Sequence, residues 1–412
     1  MRTDIFHGSP NALPDFAATP DIFDELGEIS GSADKITIDL ALSLGRATAE
    51  FAPRIAVSYS DCPLCRLLAG AFVSGSAASG AQVTELGASF FAAASYLSRS
   101  YLFNLMVFFE NDKKCLSVRI TDKFGLPIEK KLQDGIEEKI RQNDLNYVGM
   151  SDVIMPKSLS GAIEAFTSSV IKRGKLSGFT VSVSGNSLAS NTLRDVLAAC
   201  GCELSSPKAG ICDLSVSSDG TKLFLRDEKE RLHDDSHVRA ACVLIHFLLG
   251  GKTLAAPSDS PGIFEQIALE HGGRIFRIGR DSASREIYLS QEVLCNAPSD
   301  AVFLLSYLRD HDITAEKLFS YLPDFILFSR ELGLKNDRKK LMKSIENSCK
   351  DMYREHTGAL RICADGGWVN IRPCRSGSSL RITGEGMNEE IASELCNLFI
   401  EKASNMDNLP DK

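Results

Sequence analysis

A chain of 412 residues is too long for a single core and is expected to form two to four domains. Its 44% hydrophobic and 24% charged residues fit an ordinary globular protein, and a net charge of −8 argues against sequence-independent nucleic-acid binding. No apolar run reaches the ~18–20 residues of a bilayer span, and the opening MRTDIFHGSPNALPDF lacks a charged-then-apolar leader, so a cytoplasmic location without membrane association is expected.

Ile36 to Phe51 has the apolar spacing of an amphipathic helix. Arg54 to Ser60 reads as a short apolar strand, Leu64 to Ser79 as a small-residue-rich helix, and Gly80 to Gly87 as a turn plus strand. That rhythm of strand, helix, strand, helix implies parallel α/β structure. A linker and helix over residues 149–175 lead into a second α/β unit, with a strand at Phe179–Gly185, a helix at Leu188–Ala199 and a strand at Asp213–Ser217. A third unit begins over Leu248 to Gly279. Helical patterns resume at Ser299, and a charged helix from Asp337 to Arg354 leads into the last unit. From Met406 onward the tail is polar and expected to fray.

In that last unit Trp368, Asn370 and Arg372 alternate with Val369, Ile371 and Pro373 as in a strand, a turn follows over Arg375–Ser379, and Leu380–Thr383 resumes a strand. Guanidinium forks, hydroxyls and glycine-exposed amides in one concavity suit a phosphate dianion. Arg372, Arg375, Ser376, Gly377, Ser378 and Arg381 are therefore the candidate phosphate ligands. A hairpin with solvated arginines is the alternative.

Other polar clusters read as structural. The 12 cysteines are scattered through apolar segments, as expected of buried thiols in a reducing compartment. Cys62-Pro63-Leu64-Cys65 has no second pair at zinc-ribbon spacing and is read as structural. His233 and His237 lie four apart, but Asp234 or Asp235 is better placed to cap the helix beginning at Val238.

From Arg2 to about Lys402 the chain resembles the α-D-phosphohexomutases (phosphomannomutase, phosphoglucomutase, phosphoglucosamine mutase). Arg2-Thr3-Asp4 and Gly8 resemble the family's opening GTDGIRG, and the helix at 36–51 is similar to its LTPELALKLGRA helix. LSVRITDKFGLPIEKKLQDGIEEKI, GGKTLAAPSDSPG and Arg372-Pro373 with Arg381 also have counterparts there, the last in the phosphate loop RPSGTEPxxR. The resemblance implies three tandem mixed or parallel α/β units, over 1–148, 149–248 and 249–334, followed by a smaller α+β phosphate-binding-like domain over 335–412.

The chemistry the family needs is altered. The resemblance implies that Leu105–Lys113 is a strand running into a loop, and alignment from both sides places Glu110 where the family carries its phosphorylated serine, in what is expected to be a solvated loop; imitation of the phosphoserine charge is the alternative. The metal loop DGDADR becomes Asp219-Gly220-Thr221-Lys222, which keeps only Asp219 and adds a cation. Leu248 to Gly279 resembles the family's strand, helix, strand, but the sugar loop GGExSGH that should follow is absent, with a truncated connection at Ser284–Tyr288 implied in its place, and GRDTR is altered to Tyr59-Ser60-Asp61-Cys62-Pro63. These losses imply a pseudoenzyme of carbohydrate metabolism that binds phosphosugar or phosphate or regulates a partner, a true mutase or a second copy, with no catalytic residue, no metal and no cofactor. The alternative is a divergent active mutase on hexose or hexosamine phosphates, using Mg²⁺ and another hydroxyl such as Ser60, Ser117 or Ser282.

Overall fold

The computed structural model describes residues 22–24, 27–32, 34–112, 115–159, 161–207, 209–278, 282–350, 352, 354–356, 359–374 and 379–408. The first unit contains β1 (Glu28–Gly31), α1 (Ile38–Ala49), β2 (Arg54–Tyr59), α2 (Pro63–Ala78), β3 (Gln82–Ala88), α3 (Phe91–Ser100), β4 (Leu105–Asp112), β5 (Cys115–Asp122), α4 (Lys130–Gln142) and β6 (Lys157–Ser158). Its sheet runs β1-β5-β4-β2-β3-β6, parallel from β4 to β6 and antiparallel at β4–β5 and β5–β1. Thr37 starts α1 by accepting the Leu40 N–H, and Leu40, Ala41, Leu44 and Ala47 turn inward at helical spacing. α1 and α2 cross closely. A β-carbon at Gly45 would lie 2.2 Å from the Phe72 carbonyl oxygen, and one at Gly75 would lie 2.1 Å from that of Leu42.

The second unit contains α5 (Ala162–Ile171), β7 (Thr180–Ser184), α6 (Leu188–Ala199), β8 (Glu203–Leu204), β9 (Cys212–Val216), β10 (Leu223–Arg226), β11 (Leu232–His233) and α7 (Asp235–Leu248), with sheet order β11-β10-β9-β7-β8. The third contains β12 (Thr253–Ala256), α8 (Ile263–Glu270), β13 (Arg274–Arg277), α9 (Ser282–Ser290), α10 (Ala297–Asp310) and α11 (Ala315–Phe319). Its sheet is one parallel pair, β12–β13. Such a pair buries little by itself, and one continuous core runs from Val181 and Leu214 through Leu244 to Leu254, Phe264 and Leu305. The second and third units thus share their apolar interior. The expected truncated connection at Ser284–Tyr288 is helical and forms the body of α9.

The last unit contains β14 (Ile326–Gly333), α12 (Arg338–Ser348), β15 (Arg354–His356), β16 (Leu360–Ala364), β17 (Gly367–Pro373), β18 (Ser379–Gly386) and α13 (Glu389–Asp407). The antiparallel sheet runs β14-β18-β17-β16-β15, so β14 precedes residue 335 yet pairs with β18 along its whole length. α13 extends into the tail expected to fray. Asp407 is buried there and accepts the N–H groups of Lys335 and Asn336, which anchors the helix end. Among the described residues no helix is long and apolar enough to cross a membrane.

Candidate functional site

Glu110 is not in a solvated loop. It lies within β4, is 8% exposed, and stands opposite Ser117 of β5. The hairpin continues past the point where a strand-to-loop break was expected, because Glu110-Asn111-Asp112 finds ladder partners in Leu116 and Cys115. Two residues along β5 from Ser117, and so on the same face, is Arg119. Its Nη2 donates to Glu110 Oε2 at 2.6 Å, its Nη1 donates to Asp219 Oδ2 at 3.1 Å, and its Nε lies 3.7 Å from Glu28 Oε1. The guanidinium also covers the Phe91 ring at 4.6 Å. One buried cation thus faces three carboxylates from β1, β4 and the β9–β10 turn, and joins the first unit to the second.

Asp219 is held on every side. Its Oδ1 accepts from the Ser217 and Thr221 hydroxyls and from the Thr221 N–H. The Asp219 carbonyl accepts from Ala92 N–H, and that of Gly220 accepts from Ala297 N–H, so the turn is pinned to the starts of α3 and α10. Burial alone would raise the Asp219 carboxyl; Arg119 and then the hydroxyls outweigh it and bring the group down to about 2. The donor set does not fit a divalent cation. The one carboxylate of this turn is committed to a guanidinium, and the described residues contain no group of three or more His, Cys, Asp or Glu side chains able to hold a metal.

A second seam joins the first and third units. Arg285 of α9 reaches Asp122 at 2.9 Å and Glu129 at 3.3 Å, and Arg99 lies over the Tyr288 ring at 5.6 Å. α9 therefore fills, as a bound helix, the place in the chain where sequence reasoning looked for a sugar loop.

In the last unit Arg372 and Arg381 are direct cross-strand partners on β17 and β18. Two guanidinium groups on one face repel unless an anion lies between or beside them. Here Arg372 Nη1 meets Asp259 Oδ2 of the third unit at 2.9 Å, and Arg381 pairs with Glu331 of β14. Arg375, Ser376, Gly377 and Ser378 lie outside the described residues. The same face docks on the loop before α8. Glu385 accepts the Gly262 and Ile263 N–H groups at 2.8 and 3.1 Å, while buried Arg361 donates to the Ser260 carbonyl and lies over the Trp368 ring.

Asp234 caps α7 as its position implied, accepting the His237 N–H at 3.0 Å. His233 bonds Asp227 and stacks on Phe319, and His237 stacks on Phe325. Sequence reasoning missed Arg119, Arg285, Arg361 and Glu385. Arg119 had a signal: with Ser117 it takes the polar positions of the alternation Leu116-Ser117-Val118-Arg119-Ile120, next to a strand that itself carries an acid.

No protein-family model matches the chain. It is 24% identical to the phosphoglucosamine mutase of Caldanaerobacter subterraneus subsp. tengcongensis, over 91% of this chain and 98% of that one. A protein of Methanopyrus kandleri named "Probable phosphoglucosamine mutase" is 20% identical, with 89% and 94% covered. Among solved structures, a phosphoglucomutase/phosphomannomutase family protein of Burkholderia thailandensis superposes with a TM-score of 0.70 at 15% identity, covering 94% of this chain and 99% of its own. Parafusin, a phosphoglucomutase of Paramecium, gives 0.63 at 10% identity, covering 92% and 94%.

Proposed function

We propose that this chain, which belongs by fold to the α-D-phosphohexomutase superfamily, is a non-catalytic member that binds a phosphosugar or phosphate, or regulates a mutase partner, in the cytoplasm. The observation that carries this reading is the Arg119 guanidinium between Glu110 and Asp219. Phosphoryl transfer through an enzyme residue needs a nucleophilic oxygen facing an exchangeable cation. At the aligned position the chain has a carboxylate already bonded to a fixed, side-chain cation. That cation supplies cohesion between units and has no open coordination position to offer a substrate.

Anion-handling groups remain in the last unit. Arg372 and Arg381 are partly exposed, and exposed ion pairs such as theirs contribute about 0–1 kcal/mol, so a phosphate dianion can compete for both guanidinium groups. Calorimetric titration with glucosamine 6-phosphate, glucose 1-phosphate and mannose 1-phosphate tests the reading. Binding that falls at least tenfold in both Arg372→Ala and Arg381→Ala is expected, with no interconversion when Mg²⁺ and a bisphosphate primer are supplied. Affinity unchanged in both variants would remove the phosphate assignment.

The nearly full-length match to phosphoglucosamine mutases favours a second reading, an active mutase on hexose or hexosamine phosphates. It requires Mg²⁺-dependent transfer of label from a hexose bisphosphate to a side chain and onward to the sugar. Detection of that transfer would overturn the non-catalytic reading.

A further inference from the structure

The CxxC segment, read from sequence as structural, has an arrangement that burial of two small apolar groups does not require. It follows β2 and forms the N-cap and first turn of the sixteen-residue helix α2, within a β–α–β crossover to β3. Cys62 immediately precedes the helix, Pro63 occupies the first turn, and Cys65 follows one turn on. The two thiols have opposite environments. Cys62 is partly exposed, whereas Cys65 is fully buried. Asn111 Nδ2 donates to Cys62 Sγ at 3.6 Å, and the Ser60 hydroxyl donates to Cys65 Sγ at 3.5 Å. Ser60 Oγ in turn accepts the Asn111 N–H at 3.3 Å, which ties both thiols to one small network beside Glu110.

The chemistry of the pair is correspondingly unequal. The Cys65 N–H and then the Asn111 amide lower the Cys62 thiol pKa against the effect of burial. Burial pushes the Cys65 thiol up to about 11. Burial likewise raises Cys200, Cys202, Cys212, Cys242, Cys295 and Cys396, so a reactive thiol is not a general property of this chain's cysteines.

We propose that Cys62 and Cys65 form a redox-active dithiol that exchanges with small-molecule disulfides, Cys62 as the attacking thiol and Cys65 as the resolving one. In the first step the Cys62 thiolate attacks one sulfur of a disulfide R–S–S–R, forming a Cys62–S–S–R bond and expelling one thiolate. The first R–S⁻ takes up from solvent the proton that Cys62 released on ionising; Cys65 then attacks Cys62 Sγ, the second R–S⁻ leaves, and the Cys65 proton passes to it. Two protein thiols are oxidised to one disulfide, and one R–S–S–R is reduced to two R–SH. The buried Cys65 cannot meet a bulky disulfide directly but lies one helical turn from Cys62, which suits an internal second step.

The test uses the full-length protein in buffers of oxidised and reduced glutathione, quenched with iodoacetamide and mapped by peptide mass spectrometry. The expected result is a Cys62–Cys65 disulfide that forms before any other cysteine is modified and reverts with excess reduced glutathione. Cys65→Ser should accumulate glutathione on Cys62, and Cys62→Ser should leave Cys65 unmodified. The proposal fails if both thiols stay alkylatable in oxidised glutathione. It also fails if the wild-type chain retains a stable glutathione adduct on Cys62, or if Cys115, Cys295, Cys363 or Cys374 reacts first. The wild-type result stands whether or not either variant folds.

Discussion

Arg119 has its carboxylate partners on three different elements, and a buried cation of this kind is costly to remove. Truncation leaves Glu110 and Asp219 facing each other in a site with little water. Breaking one partner out of a buried ion cluster typically costs about 3–5 kcal/mol. Arg119→Leu is expected to lower unfolding stability by that amount at pH 7, read from the urea midpoint; a shift below 1 kcal/mol would mean the cluster contributes nothing to cohesion. Asp300 carries a prediction of the opposite sign. It accepts the Leu294 N–H at 2.8 Å, and burial raises its carboxyl to about 7. A raised carboxyl means that the folded chain holds its proton longer than the unfolded one, so Asp300 subtracts stability as pH climbs from about 4 towards 7. Asp300→Asn keeps an acceptor for Leu294 and should remove that slope. Its melting temperature at pH 8 is expected to equal or exceed the wild type, and a lower value would show that ionised Asp300 is well compensated.

At the scale of elements, α1 and α2 meet where two glycines let backbones touch. Gly45→Ala would drive a methyl group into the Phe72 carbonyl, which ought to part the helices at a cost of about 1–3 kcal/mol. Gly70→Ala on the outer face of α2 meets nothing within 4 Å and should stabilise by roughly 0.5–1 kcal/mol, so thermal melts of the pair separate packing from helix propensity. The elements that were legible in the sequence carry their own punctuation. α6 has Ser187 accepting the Ser190 N–H at its start and Gly201 just past its end, and it falls at the residues the pattern indicated. The β4–β5 hairpin was less legible, because the apolar run Leu105–Phe109 fits a buried strand ending in a loop equally well. Only its antiparallel partner extends it through Glu110. β14 was missed for a similar reason: Ile326–Gly333 follows a helical pattern, and its strand character comes from β18, fifty-odd residues away. The candidate site was legible as a set of substitutions, Glu110 and Asp219 among them. The guanidinium joining them depends on strand register and inter-unit packing, which no local spacing reports.

At the scale of the whole molecule, and among the described residues, charge crosses three of the seams between units, at Arg119–Asp219, Arg285–Asp122 and Arg372–Asp259, the last together with Glu385 at the start of α8. Glu385 anchors the last unit on the third, and burial raises its carboxyl despite the two amides that bind it. Glu385→Ala should weaken docking by about 1–3 kcal/mol, the value of a charge-assisted bond to orphan helix amides. Hydrogen exchange at Gly262 and Ile263 should quicken while the inner β7 amides stay protected. Uniform acceleration would indicate global destabilisation instead.

The position of β14 has a practical corollary for anyone dissecting the polypeptide. A piece beginning at residue 335 would omit the strand that hydrogen-bonds β18 from Ser379 to Gly386, and with it Glu331, the counter-ion of Arg381. The bared rim would then be open to the same rim of another copy, inviting self-association. A piece beginning before Ile326 retains its own border.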